Sequence, residues 1–123
     1  MKILIADDEV ETTEILLKFL KRKGVLADCA FDGDEALRLV KKEDYDIVFL
    51  DIEMPGITGL EILRYIKDNH KKAKVVLVTG YSCVDLKFAK ALRADEYIEK
   101  PISLQGIESI IDKYTPSCND PLP

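Results

Sequence analysis

The chain predicts an α/β fold: a doubly wound, five-stranded parallel sheet with five helices on its two faces. Three observations carry this. Five short apolar runs alternate with segments of helical period at roughly equal spacing, the pattern of repeated strand–helix units. The runs over residues 47–50 and 75–78 are continuously apolar, as strands buried on both faces are. Gly24, Asp32-Gly33, Pro55-Gly56 and Gly80 then punctuate the units.

The first strand is Lys2 to Ala6, followed by Asp7-Asp8-Glu9 and a helix over about residues 10–23. Thr13, Leu16, Leu17 and Leu20 share one helical face. Gly24 is a left-handed stop. Leu26 to Ala30 is a weaker strand, placed at a sheet edge because Asp28 interrupts it. After the Asp32-Gly33 turn, Ala36, Leu37 and Val40 mark the inner face of a second helix ending at Lys41-Lys42. The third strand, residues 47–50, runs directly into Asp51 and a Pro-Gly turn. The third helix has Leu60, Leu63 and Ile66 inward, with Ile62 flanking them.

Residues 75–79 form the most apolar strand, and Ser82 is a candidate cap for a fourth helix through about Leu92. Glu96 to Glu99 is the fifth strand, and Ser103 caps a last helix carrying Leu104, Ile107, Ile110, Ile111 and Tyr114 at helical spacing. Right-handed crossovers leave few topologies. A flavodoxin-like strand order 2-1-3-4-5 fits, with the interrupted second strand outermost. Residues 1–114 are expected to form the domain and 115–123 a Pro-rich tail.

At 123 residues, 47% apolar and 33% charged, the chain is sized for one globular domain with a substantial core. A net charge of −5 argues against a direct nucleic-acid surface. No apolar run reaches membrane-spanning length and no signal-peptide core follows Met1, so a cytoplasmic protein without a membrane partner is expected. Cys29, Cys83 and Cys118 lack metal-ligand spacing, and the single histidine, His70, sits in a polar run.

The strand ends carry the chemistry. The first ends in Asp7-Asp8, the third in Asp51, the fourth in Thr79 and the fifth in Lys100. In an open parallel sheet these positions converge in one crevice. Three carboxylates gathered there repel one another unless a cation neutralises them, and an oxygen-only ligand set beside phosphate favours Mg²⁺. A nucleophilic carboxylate, a metal, a lysine and a hydroxyl make a phosphoryl-transfer toolkit. The bland alternative is an acidic rim with chance partners.

The motifs Asp7-Asp8, residues 50–59 (Leu-Asp-Ile-Glu-Met-Pro-Gly-Ile-Thr-Gly), Val78-Thr79-Gly80 and Lys100-Pro101 span nearly the whole chain. The sequence resembles the response-regulator receiver domains of two-component signalling. The resemblance implies that Asp51 accepts a phosphoryl group from a histidine kinase or histidine phosphotransfer protein, making the chain a phosphorylation-dependent switch or relay rather than an enzyme. It implies that Asp8, Asp51 and the backbone carbonyl of Glu53 ligate Mg²⁺, with Asp7 acting through water. Thr79 and Lys100 would contact the phosphoryl oxygens. Thr79 and Tyr97 would be the switch pair, altering the face of the fourth helix, fifth strand and fifth helix that binds a downstream protein. The Lys100-Pro101 bond would be cis. The resemblance also implies that the positions of Glu53 and Tyr81 tune phosphoryl lifetime. Arg93 stands where the family usually has Gly, so a left-handed turn there would be strained; Gly80 replaces a commoner Ala.

Two alternatives stand beside this. The chain could be the receiver piece of a larger DNA-binding regulator. An aspartate-dependent phosphatase is a further alternative, since Glu53 follows Asp51 at the spacing of a general acid. On the first helix, Ile15 and Phe19 lie outside the inner stripe and mark either a docking patch or a wide core face.

Overall fold

The computed structural model of the chain describes residues 1–69, 71–80 and 93–115. The elements run β1 (Lys2–Ala6), α1 (Val10–Arg22), β2 (Leu26–Ala30), α2 (Gly33–Lys42), β3 (Ile47–Asp51), α3 (Gly59–Asp68), β4 (Lys74–Thr79), β5 (Glu96–Glu99) and α4 (Leu104–Tyr114). The strands form one parallel sheet in the order β2-β1-β3-β4-β5. Four helices lie among the described residues. The helix expected over about 82–92, with Ser82, Cys83 and Tyr81, falls outside them, as do His70, Cys118 and the tail beyond residue 115.

Strand side chains alternate between two cores, which explains the unbroken apolar runs. Leu4, Ala6, Val48, Leu50, Val75 and Leu77 face Ala36 and Val40 of α2 and Ile62, Leu63 and Ile66 of α3. Ile3, Ile5, Ile47, Phe49, Val76 and Val78 face Leu16 and Leu20 of α1 and Ile107 and Ile111 of α4. Each fully buried Leu or Ile contributes about 1.5–3 kcal/mol. β2 is the outer edge: Leu26 is 69% exposed, and Asp28 accepts a 2.6 Å hydrogen bond from the Tyr45 hydroxyl.

Local chemistry ends the helices as the sequence suggests. The Val25 N–H donates to Leu20 O and the Gly24 N–H to Lys21 O, both at 3.0 Å, with Gly24 at φ +74°. This paired closure needs a left-handed residue, and Gly takes that conformation without strain. Asp32, Thr58 and Ser103 side chains accept from the N–H groups of Glu35, Glu61 and Gly106.

Two inner faces differ from expectation. In α3, Ile62 is fully buried and Leu60 only partly, because the helix rolls about one residue to seat Ile62, Leu63 and Ile66 over β3 and β4. In α4, Leu104 is 39% exposed: it begins the first turn, beyond the edge of the core that Ile107 and Ile111 fill. Arg93 does take the left-handed conformation, φ +68°, and its Nη2 donates to Asp68 Oδ1 at 2.8 Å. Nearby, Asp95 Oδ2 accepts from the Val75 N–H at 2.8 Å and Lys67 Nζ at 2.9 Å. The entry to β5 is thus tied to the end of α3.

Candidate functional site

Parallel pairing sets the C-terminal ends of β1, β3, β4 and β5 side by side, and the ladder continues one residue past several of them. The Asp7 N–H donates to Ala30 O (3.0 Å), the Ile52 N–H to Val78 O (3.0 Å) and the Lys100 N–H to Thr79 O (2.7 Å). Asp7, Asp51, Thr79 and Lys100 are thereby delivered to one crevice, as their strand-end positions predict. Asp7, Asp51 and Thr79 are 2%, 3% and 1% exposed; Asp8 is exposed at the rim.

Both buried aspartates are fixed the same way. Oδ1 of each accepts the backbone N–H two residues on, from Glu9 onto Asp7 at 2.8 Å and from Glu53 onto Asp51 at 3.0 Å. Such short side-chain turns lock the carboxylate. The other oxygen of each meets Lys100, whose Nζ lies 3.0 Å from Asp51 Oδ2 and 3.5 Å from Asp7 Oδ2. Gly59, the first residue of α3, packs on the Asp51 backbone so closely that a Cβ would come within 2.3 Å of its carbonyl oxygen. Any side chain there would push on the loop that carries Asp51.

Asp7, Asp8 and Asp51 each offer an oxygen within 4.8 Å of the other two. With Glu9 added, four carboxylates face one ammonium, an excess of three negative charges. Burial raises the Asp7 pKa above the ordinary aspartate value, against the lowering effects of the Glu9 N–H and Lys100. Burial also works against the charge on Lys100, but hydrogen bonds to Glu9 and Asp51 and the fields of Asp7 and Asp51 outweigh it and raise its pKa. A cluster of hard oxygen donors with surplus negative charge suits a divalent cation such as Mg²⁺.

Of the remaining predicted residues, Glu53, Tyr97 and Pro101 are described. Glu53 is exposed and, with Asp8, Ile52, Met54, Pro55 and Thr58, lines an open depression beside Asp51. Tyr97, on β5, is half-buried against the α2–α3 side of the sheet, its hydroxyl 3.4 Å from Glu99 Oε1. The Lys100-Pro101 peptide bond is cis. Tyr81 lies outside the described residues. One participant escaped the sequence reading: Glu9, whose Oε1 accepts from Lys100 Nζ at 2.9 Å. Its hydrogen bond to Lys100 lowers its pKa. The only sequence signal was the third acid in Asp7-Asp8-Glu9.

Residues 3–112 match the response regulator receiver domain family. The chain belongs to that family. Among solved receivers, response regulator TrrA from Thermotoga maritima, in complex with Mg²⁺-BeF, is 38% identical, with 93% of this chain and 98% of that one covered and a TM-score of 0.81. A response regulator from Burkholderia pseudomallei, solved with a phosphorylated aspartic acid, calcium ion and citrate, is 26% identical over 93% of this chain and 66% of its own, TM-score 0.77. The Ssk1 receiver of Saccharomyces cerevisiae, solved with the histidine phosphotransfer protein Ypd1, is 24% identical, covering 93% and 88%, TM-score 0.85, a likeness of fold. The flavodoxin-like strand order of this receiver is the one its sequence predicts. Among the described residues, no helix is long and apolar enough to cross a membrane.

Proposed function

We propose that this receiver takes a phosphoryl group onto Asp51 from a phosphohistidine and thereby works as a cytoplasmic switch or relay. The observation that carries the reading is the pairing of Asp51 Oδ2 with Lys100 Nζ at 3.0 Å beside two further carboxylates within 4.8 Å. In the transfer, an Asp51 oxygen forms the new bond to phosphorus as the N–P bond of the donor breaks, and the departing imidazole takes up a proton. Lys100 and the Thr79 hydroxyl hold phosphoryl oxygens, matching charge where it develops.

The carboxylates of Asp8 and Asp51, with the Glu53 backbone carbonyl, are the groups that would hold Mg²⁺, Asp7 acting through a water. When bound, the ion neutralises the acidic cluster and the incoming phosphate. Residues 1–114 make up this unit. Because each transfer consumes one donor and loads one Asp51, the protein acts as a stoichiometric acceptor rather than a turnover enzyme.

Thr79 and Tyr97 act as the switch pair. Tyr97 lies on β5, which is tied to α4 by the 2.8 Å hydrogen bond from the Tyr114 hydroxyl to Glu96 Oε1 and by the Lys113–Glu96 ion pair. A downstream protein reads the face formed by this pair of elements and the helix expected over 82–92. On α1, the 57% exposed Ile15 is the docking contact for the histidine kinase or phosphotransfer protein. The test is incubation with acetyl phosphate, with and without Mg²⁺, followed by intact mass. One phosphoryl group gained only with the ion supports the reading; no gain under any condition overturns it.

A further inference from the structure

Lys100 is held by a residue outside the strand-end set. Its ammonium has three N–H donors. Two are directed at Asp51 Oδ2 (3.0 Å) and Glu9 Oε1 (2.9 Å), with Asp7 Oδ2 further off at 3.5 Å. Glu9 stands immediately before α1, at the position whose side chain ordinarily caps the helix, yet it makes no cap hydrogen bond. Instead one carboxylate oxygen accepts from the Thr12 hydroxyl at 3.1 Å and the other reaches across 91 positions of sequence to Lys100.

We infer that Glu9 is a positioning residue that holds Lys100 in the unphosphorylated protein and yields it when a phosphoryl group arrives on Asp51. This rests on the phosphoacceptor reading above. A phosphoryl group on Asp51 recruits Lys100, and the present partners then compete with it for the ammonium. Asp51 becomes the acyl phosphate, so its contact passes to the phosphoryl oxygens, whereas the Asp7 side chain is 4% exposed and stripping it of its counter-charge leaves a buried anion. The Glu9 side chain is 55% exposed and can turn to water, where an exposed ion pair is cheaply lost. Glu9 is therefore the contact that opens. Until it does, it competes for the ammonium and adds a negative charge at the mouth of the crevice. The ease of phosphorylation is set partly by this competition.

The probe is fluoroberyllate, a phosphoryl mimic, titrated at saturating Mg²⁺ into wild type, Glu9→Gln and Glu14→Gln. Glu14 is an exposed acid on α1 that changes the net charge equally. Glu9→Gln should bind roughly two- to fivefold more tightly than wild type, and Glu14→Gln should match wild type. In metal-free protein, the NMR signal of the Lys100 ammonium should exchange faster with water in Glu9→Gln. Unchanged or weaker affinity in Glu9→Gln, an equal gain in Glu14→Gln, or an unaltered ammonium signal would each overturn the inference. Failure of wild type itself to bind fluoroberyllate would instead remove the phosphoacceptor reading on which it stands.

Discussion

Arg93 and Asp68 clasp the entry to β5: the guanidinium Nη2 lies 2.8 Å from Asp68 Oδ1 while the Arg93 backbone sits at φ +68°. A left-handed conformation costs an L-residue roughly 1–2 kcal/mol. The exposed pair, 57% and 51% accessible, offsets about 0–1 kcal/mol of that. Arg93→Gly should therefore leave stability unchanged or raise it by up to about 1 kcal/mol. Arg93→Ala, which keeps the strain and loses the pair, should lower it. Urea denaturation of the three proteins checks the order.

On metal-free protein, Asp7 should cost stability at neutral pH. Its folded pKa is raised, first by burial, so the folded state binds the proton more readily than the unfolded chain. That group's contribution thus improves as pH falls through the raised value towards the ordinary 3.8. Asp7→Asn should be the more stable protein at pH 7. The gap should close on acidification and reverse when Mg²⁺ is present. Thermal unfolding across pH, with and without the ion, measures it.

The strand ends were legible because Asp51 and Thr79 follow apolar runs directly, after Leu50 and Val78, and Lys100 closes the short run of residues 96–99 just before Pro101. Asp28 likewise announced an edge strand. Glu9 was not legible, since its partner Lys100 is remote in sequence and only the assembled sheet brings them together. The roles of Leu60 and Ile62 were also hidden, because neighbouring apolar residues on a short helix do not say how far it rolls on the sheet. Phe19, paired with Ile15 in the sequence reading, packs against the α1–α4 core while Ile15 stays exposed.

That separation sharpens the docking prediction. Ile15→Ala should slow transfer from a phosphorylated histidine kinase and leave labelling by acetyl phosphate unchanged, with little loss of stability. Phe19→Ala should destabilise the fold instead. Parallel transfer assays with the two donors decide the matter; equal slowing of both by Ile15→Ala would count against docking there.

Phosphoryl lifetime should depend on the residues bordering the approach of water to Asp51. The receiver resemblance assigns Tyr81 to that approach, where a large aromatic would exclude the water, whereas Glu53 is exposed at the rim of the open depression. Tyr81→Ala should shorten the lifetime in Mg²⁺ without abolishing phosphorylation. An unchanged or longer decay would shift the role to Glu53.

The most direct test asks where the phosphoryl group goes. Wild type and Asp51→Asn are incubated with acetyl phosphate and Mg²⁺, reduced with borohydride to convert any acyl phosphate to an alcohol, and mapped by peptide mass spectrometry. Wild type should be modified at Asp51 alone, and Asp51→Asn at no position. Stable acyl phosphate at another residue of wild type, or undiminished labelling of Asp51→Asn, would contradict the assignment.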